Sequence, residues 1–230
     1  MSDEVLPNKL GITDPSQLAE YELEVAAARV AEIARDPEQF MGGFDFSHLQ
    51  RLHAYILQDV YEWAGRMRTT ETKAMGMPHC RVEFLAEQTA YVFRQIAASL
   101  PLSVAVDEAV ETVAGHWGEL TARHPFRDGN SRSQRVFFDL MLREAGHPVD
   151  WSRVDAAAVH AARHVAMRTL DSSYLAAELR PGVIPDAPAA SLSAAQARDA
   201  ERAIELYRQM LAHRETGAPA DEFRRQRGQG

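Results

Sequence analysis

The chain has 230 residues, 46% of them hydrophobic, and a formal net charge of −8 at pH 7. A chain of this size can bury roughly 70% of its unfolded surface in a core, and its acidic balance argues against a nonspecific nucleic-acid binder or a membrane-surface protein, either of which would present a basic face. The single cysteine, Cys80, excludes an internal disulfide framework and favours a reducing compartment.

The first predicted element is a helix over residues 15–35. Asp14 and Gln17 are the residue types expected at its N-cap and third position. The next helix is predicted to start at Ser47 as its N-cap. Its buried face is marked by apolar residues at helical spacing, namely Leu49, Leu52, Ile56 and Val60.

The rest of the chain is predicted to be almost entirely helical. An irregular hairpin over residues 67–82, the one region with strand character, is followed by helices over about residues 83–100, 103–122, 130–145, 155–169 and 172–178. A Pro-rich break then begins at Arg180. We therefore expect a main domain over residues 1–182, a linker with a polar helix over residues 183–216, and a disordered tail over residues 217–230.

The segment HPFRDGNSRSQR, residues 124–135, lies between two of these predicted helices. Pro125 prevents the first helix from continuing, and Gly129 tolerates the positive φ of a sharp turn. The second helix is expected to begin at about Asn130 or Ser131, so that its backbone N–H groups and the positive end of its dipole point into the loop. This loop is therefore predicted to bind an anion, most naturally a phosphate.

The side chains of the segment suit phosphoryl or nucleotidyl transfer. Arg132 and Arg135 are three residues apart on one helix face and offer two cationic groups. Asp128 beside a polyphosphate is best interpreted as a Mg²⁺ ligand, and His124 is available as a general base toward an attacking hydroxyl. Any one of these residues alone would more often be structural, but their joint occurrence at this spacing favours an active site.

The same segment resembles the signature of the Fic (Fido) family, HPFx(D/E)GNGRxxR, and departs from it only at Ser131, which replaces the second glycine. Residues 44–71, which end in a YEWAG turn and the start of a flap, also resemble the family. Residues 7–22 are similar to the amino-terminal segment of many bacterial members, and residues 150–155 follow the motif as they do there. The resemblance covers most of the chain before the Pro-rich break.

The resemblance implies an all-α fold with a Fic-type helical core, a small β-hairpin flap beside the active site and, in this chain, an extra C-terminal helix. It implies protein AMPylation, in which the AMP of ATP is transferred to a Tyr, Thr or Ser hydroxyl of a target protein and pyrophosphate is released. By this resemblance His124 would take the proton of the target hydroxyl, and Asp128 would hold Mg²⁺ on the α and β phosphates.

Further roles follow from the same resemblance. The backbone of Gly129 to Ser131 and the side chain of Asn130 would form the anion hole, Arg132 would bind the outer phosphates, and Arg135 would support that end of the site. Members of the family often carry a Lys-Gly-rich hairpin that ends in an aromatic residue. Here Lys73 and Gly76 resemble the first feature, and His79 lies near the position of the aromatic. Such hairpins hold the target as an added strand.

Regulation is the least readable part of the sequence. Many Fic proteins are inhibited by a helix carrying (S/T)xxxE(G/N), and the nearest match here is SQLAEY, residues 16–21. We interpret this match as structural, so that Glu20 is not the expected inhibitor. Inhibition would then come from a separate small antitoxin protein, which makes the chain a candidate bacterial toxin of a toxin–antitoxin pair.

Two alternatives remain open. The Cβ of Ser131 narrows the approach to the phosphates, so the same site could transfer another phosphate-containing group, such as UMP or phosphate. The fold could also be a catalytically weakened binding module, although the intact His124 and Asp128 argue against it. The acidic amino terminus and the lack of a membrane-length apolar run predict cytoplasmic residence, with delivery into another cell left open.

Overall fold

The computed structural model describes residues 5–183 except Met75 and Ser103. Within this part, the prediction of a helical core with one small hairpin is confirmed. The α-helices are α1 (Pro15–Arg35), α2 (Phe46–Leu57), α3 (Val82–Ala98), α4 (Val106–Arg123), α5 (Asn130–Glu144), α6 (Ala156–Thr169) and α7 (Ser173–Val183). Two 3-10 helices, η1 (Pro37–Phe40) and η2 (Trp151–Arg153), and the strands β1 (Lys73–Ala74) and β2 (Met77–Pro78) complete it. The predicted C-terminal helix and tail lie outside the described residues.

Aspartate side chains fix where the first helices begin. Asp14 Oδ1 accepts a hydrogen bond from the Gln17 N–H at 2.8 Å, so the predicted start of α1 is confirmed. The prediction that Ser47 caps the second helix is wrong, because Asp45 Oδ1 accepts from the His48 N–H at 2.7 Å and α2 begins at Phe46. Ser47 lies inside the first turn and its hydroxyl donates to the same carboxylate.

The core forms where α4 and α5, the helices on either side of the signature loop, meet their neighbours. Helices α6 and α7 pack against α4, and α2 packs against α5 and α1. The Phe137 ring on α5 is fully buried and makes edge-to-face contacts with Phe44, Phe93 and Phe138. The loop is therefore anchored at both ends in the buried core of the described residues.

The end of α7 differs from the predicted break at residue 180. The helix continues through Pro181 to Val183. Here the Gly182 carbonyl accepts a hydrogen bond from the Asp150 N–H at 2.8 Å, and a Cβ at residue 182 would lie only 2.9 Å from the Asp150 carbonyl oxygen. This close backbone contact stabilises the last turn and offsets the helix-breaking tendency of proline. None of the helices in the described part is long and apolar enough to cross a membrane.

Because α4 approaches α6 closely, alanine substitutions at two glycines of α4 are predicted to change the free energy of unfolding in opposite directions. A Cβ at Gly118 would lie 2.9 Å from the Ala166 Cβ, whereas a Cβ at Gly115 would meet only the Ser172 Oγ at an ordinary 3.8 Å. We expect Gly118→Ala to lower the free energy of unfolding by about 1–3 kcal/mol through overpacking, and Gly115→Ala to raise it by about 0.5–1 kcal/mol through helix propensity. Urea unfolding followed by circular dichroism measures both, and equal gains would contradict the tight contact.

Candidate active site

The signature loop turns sharply between α4 and α5, as predicted. His124 ends α4 in the left-handed region, with φ 47° and ψ 63°, and its N–H donates to the Leu120 carbonyl. Gly129 precedes α5 with φ 73°, and a Cβ there would also collide with Leu57 Cδ1 at 2.4 Å. Only glycine meets both conditions without strain, because it lacks a Cβ and tolerates positive φ.

The side chain of Asn130 holds the inside of this loop together. Its Oδ1 accepts from the Phe126 N–H at 3.0 Å and its Nδ2 donates to the Phe126 carbonyl at 2.8 Å, while the residue is buried. Both halves of the amide are therefore engaged within the loop. The part of the Asn130 side chain in an anion hole stays a prediction, and the structure shows that the amide also shapes the loop.

His53 on α2 supports the loop from the core side. Its Nδ1 accepts from the Gly65 N–H at 2.8 Å, so the proton lies on Nε2, which donates to the Asp128 carbonyl at 2.8 Å. Burial lowers the pKa of His53 to about 4, and the ring is therefore neutral at neutral pH. Sequence reasoning missed this residue, although its position on the apolar face of α2, between Leu52 and Ile56, indicated that it would be buried.

Arg68 supports the other end of the loop and was also missed. Its side chain is buried, its Nε donates to the His124 carbonyl at 2.7 Å, and its Nη1 donates to the Thr70 carbonyl at 2.8 Å. Nη2 donates to the carbonyls of Cys80 and Arg123. One guanidinium thus joins the segment before the flap, the segment after it and the end of α4. Burial lowers the pKa of Arg68.

The His124 ring packs face to face with the ring of His79, with centroids 3.7 Å apart and planes 5° apart. Burial, followed by the proximity of His79, lowers the pKa of His124 well below its usual value. His124 is therefore neutral at neutral pH, which is the state that a general base requires.

The guanidinium of Arg132 lies at the start of α5 between two carboxylates. Its Nη2 forms an ion pair with Glu22 Oε1 on α1 and lies 3.7 Å from Asp128 Oδ1. Glu22 Oε2 in turn accepts from the buried Tyr61 hydroxyl. Burial alone would lower the pKa of Arg132, but the two carboxylates outweigh it and raise the pKa. Glu20, the glutamate considered in the sequence, is exposed.

Asp128 presents the exposed carboxylate of the loop, with 51% of its side chain accessible. Its Oδ1 accepts from the Gly129 N–H at 2.5 Å. Among the described residues, no three or more His, Cys, Asp or Glu side chains cluster in a way that could hold a metal ion. One open carboxylate fits Mg²⁺ that is held jointly with phosphate oxygens, as is usual for this ion, rather than by a cage of protein ligands.

The side chains of Arg135 and Ser131 contact other elements of the fold. Arg135 lies over the Trp151 ring, 5.1 Å from its centroid, and burial lowers its pKa. Ser131 Oγ lies 3.5 Å from His160 Nδ1 on α6. Arg135 therefore braces α5 against η2, and the Ser131 hydroxyl faces α6.

The flap is a short antiparallel hairpin in which Lys73 pairs with Pro78 and Ala74 with Met77. Lys73 is exposed, and Gly76 turns the chain with φ 79°. The structure separates the three flap residues singled out in the sequence. Lys73 and Gly76 lie on the open hairpin, whereas His79 is buried at its base against His124.

The residues that form the flap and the signature loop lie in a part of the chain that is similar to known proteins. The Fic/DOC family model matches residues 43–142. A probable protein adenylyltransferase of Sinorhizobium fredii is 33% identical over 153 residues, which cover 66% of this chain and 77% of that protein. Protein adenylyltransferase VbhT of Bartonella schoenbuchensis is also 33% identical, over 66% of this chain but only 31% of VbhT.

Solved structures show the same fold. The BepC protein of Bartonella tribocorum, crystallised with bound AMPPNP, superimposes with a TM-score of 0.68 at 23% identity, covering 80% of this chain and 94% of that one. A Bartonella quintana Fic domain with bound ADP has a TM-score of 0.68 at 22% identity, with coverage of 77% and 90%.

The two hydrogen bonds of His53 predict an acid-sensitive fold. Burial lowers the pKa of His53 from 6.5 to about 4, so on acidification this side chain is protonated in the unfolded chain before it is protonated in the folded one. The contribution of His53 to the free energy of unfolding is therefore present above pH 6.5 and is lost as the pH falls toward 4. We expect His53→Leu to lower the free energy of unfolding at pH 7 by about 2 kcal/mol or more, since it leaves the Gly65 N–H and the Asp128 carbonyl without partners. It should also weaken the acid dependence.

Urea unfolding of both proteins at neutral and acidic pH measures these effects. His147→Leu is the matched control, because His147 Nε2 lies 3.4 Å from the Val104 carbonyl and not against the loop. An equal loss of stability on acidification in the wild type and in His53→Leu would show that His53 does not contribute to it.

Proposed function

Because this chain belongs to the Fic/DOC family, we propose that it is a protein adenylyltransferase that transfers the AMP of ATP to a Tyr, Thr or Ser hydroxyl of a target protein. The observation that carries the proposal is the signature loop. Within it, a neutral imidazole, an exposed carboxylate, a guanidinium and the start of a helix converge. Relatives at 33% identity that are named protein adenylyltransferases, and a similar fold solved with AMPPNP, support the same activity.

The reaction would be an in-line displacement. His124 accepts the proton of the target hydroxyl, and the oxygen forms a bond to the α-phosphorus of ATP. The bond between the α-phosphorus and the bridging oxygen breaks, and pyrophosphate leaves. Catalysis of this type depends mainly on positioning and on stabilising charge, and the rigid loop between α4 and α5 supplies both.

The anion hole would consist of backbone groups at the start of α5. The Ser133 N–H closes the first helical turn by donating to the Gly129 carbonyl at 3.0 Å. The N–H groups of Asn130, Ser131 and Arg132 come before it and have no carbonyl within the helix to bond. The Gly129 N–H is already bonded to Asp128. These three N–H groups and the helix dipole would hold the phosphates.

Asp128 would hold Mg²⁺ together with phosphate oxygens, and the ion would neutralise negative charge on the phosphates when bound. The carboxylate suits this role because its Gly129 hydrogen bond fixes its direction while half of the side chain stays accessible. Arg132 would bind the outer phosphates with the guanidinium edge that Glu22 leaves open. The open hairpin around Lys73 and Gly76 would hold the target chain as an added strand.

Glu22 we interpret as a brace for Arg132 rather than an inhibitor. Both of its carboxylate oxygens are engaged, one by Arg132 and one by Tyr61, and the residue is buried. A buried carboxylate with both oxygens bonded holds its partners in one arrangement. An inhibitor must instead move aside for ATP. We therefore propose that inhibition comes from a separate small antitoxin protein and that the chain is the toxin of such a pair.

The role of His124 as the general base is tested by the substitution His124→Asn. Asparagine tolerates the left-handed backbone of this position better than most residues, so the fold should persist while transfer falls by about 10²–10⁴-fold, the usual contribution of a general base. The assay incubates the purified protein with labelled ATP, GTP, UTP or CTP and a bacterial lysate, and intact mass identifies the group added to each labelled protein.

Labelling from ATP that gives a mass increase of one AMP supports adenylyl transfer. Equal melting temperatures for wild type and variant show that the fold is intact. Undiminished transfer by His124→Asn would remove His124 from the mechanism, and labelling from another nucleotide alone would replace ATP as the donor.

The role of Glu22 in holding Arg132 in place is tested by Glu22→Gln, with Glu20→Gln as the matched control on the same helix. Loss of the charged partner should let Arg132 move, and we expect kcat/KM for ATP to fall about tenfold, since small misplacements of a positioning group are costly. The control, an exposed glutamate, should behave as wild type. A rise in transfer on Glu22→Gln would instead identify Glu22 as an internal inhibitor and would argue against control by a second protein.

A further inference from the structure

His79 is the residue against which the proposed base is packed. Its ring is buried and lies parallel to that of His124, with 3.7 Å between the ring centroids. Two contacts with Thr72 fix His79 across the base of the flap. The His79 N–H donates to the Thr72 carbonyl at 3.0 Å, and the Thr72 hydroxyl lies 2.9 Å from His79 Nδ1.

The imidazole of a catalytic histidine is usually oriented by a hydrogen bond to the nitrogen that does not react. In the described part of this chain no side chain or carbonyl bonds to His124 Nδ1, although the atom is buried. The backbone of His124 is well fixed, because its N–H and its carbonyl are both hydrogen bonded. The ring itself can still rotate about the side-chain bonds. The face of His79 lies flat against the ring and opposes this rotation.

We propose that His79 is a positioning residue for His124, which holds the plane of the base by ring stacking and is itself held by Thr72. The inference rests on the proposed function, since it takes His124 as the base. It assigns His79 a role beside the reacting atoms, in addition to any contact of the flap with the target.

The identity of His79 suits this role in two ways. A flat ring can lie fully against another at this separation, whereas an aliphatic side chain cannot. Burial lowers the pKa of His79 to about 4, so the ring is neutral at neutral pH and adds no positive charge beside His124 when the base takes up a proton. The guanidinium groups of Arg68 and of Arg163 on α6 act on both rings, whereas burial lowers the pKa of the neighbouring His164 to about 4 as well.

The arrangement also connects target binding to catalysis. Thr72 immediately precedes β1, and His79 immediately follows β2, so their contacts continue the ladder of the flap. The next residue, Cys80, donates its N–H to the Ala122 carbonyl at the end of α4 at 2.9 Å. A target strand that pairs with the flap would therefore pair with the element that orients the base.

The test compares three variants in the transfer assay. His79→Leu removes the flat face and should lower kcat about 10–100-fold with little change in KM for ATP. His79→Phe keeps a flat face but loses the contact of Nδ1 with the Thr72 hydroxyl, so it should give an intermediate kcat, well above that of the leucine variant. Thr72→Val keeps the shape of Thr72 but removes its hydroxyl, and should give an intermediate kcat. His116→Leu, which changes a histidine of α4 bonded to Ser99, is the control and should match wild type.

A spectroscopic readout separates positioning from a general loss of structure. In protein with isotope-labelled histidine, the ring protons of His124, assigned by their loss in His124→Asn, should carry a ring-current shift from the stacked neighbour. This shift should disappear in His79→Leu and persist in His79→Phe. A leucine variant with wild-type kcat, or a phenylalanine variant as impaired as the leucine one, overturns the proposal. If the leucine variant does not fold, the phenylalanine and Thr72→Val kinetics decide.

The proposed function and this inference fail in different ways. If wild type transfers no nucleotide, or His124→Asn transfers as well as wild type, the proposed function is wrong. If transfer depends on His124 but not on the ring at residue 79, only the positioning role is wrong.

Discussion

The site depends on one constraint, which is that buried side chains bond the backbone carbonyls of the signature loop. Arg68 donates to the carbonyl of His124, Asn130 to that of Phe126, and His53 to that of Asp128. A buried carbonyl without a partner is costly, so these bonds turn the oxygen side of the loop toward the core. The N–H groups at the start of α5 lie outside these bonds. In the proposed function they would bind the phosphates without carbonyl oxygens that would repel an anion.

The groups around the loop also differ in charge. Burial lowers the pKa values of His124, His79 and His53, and their rings are neutral at neutral pH. The nearby carboxylates of Glu22 and Asp128 instead outweigh burial at Arg132 and raise its pKa. Differences of this kind between neighbouring titratable groups suit them to different roles. In the proposed reaction the neutral His124 would accept a proton, and the charged Arg132 would bind phosphate.

The sequence predicted the parts of the molecule that are encoded locally. The Asp14 cap, the helical spacing on either side of the loop and the turn at Gly129 each depend on residues within a few positions of one another. The wrong cap at Ser47 has a local cause as well, because Asp45 lies two residues earlier and its carboxylate accepts the capping bond. In each case the information needed was present in a short window of the chain.

The supports of the site could not be read in the same way, because their partners are distant in sequence. Glu22 reaches Arg132 and Tyr61 across the interface of α1 with the core, and Arg68 reaches the end of α4. Only the packing of the helices brings these groups together. Position on a helix face could have marked His53 as buried, but no spacing indicates which carbonyl it bonds.

The flap shows why a family signature describes only part of an active site. Its hairpin has two short paired strands, so most of its backbone groups remain available to a target chain, and main-chain pairing of that kind tolerates many target sequences. What must not vary is the distance between the target hydroxyl and the base. In this chain Thr72, His79 and His124 contact in series at the end of the hairpin. Under the proposal, target binding and base orientation would form one structural unit, joined by a residue outside the signature.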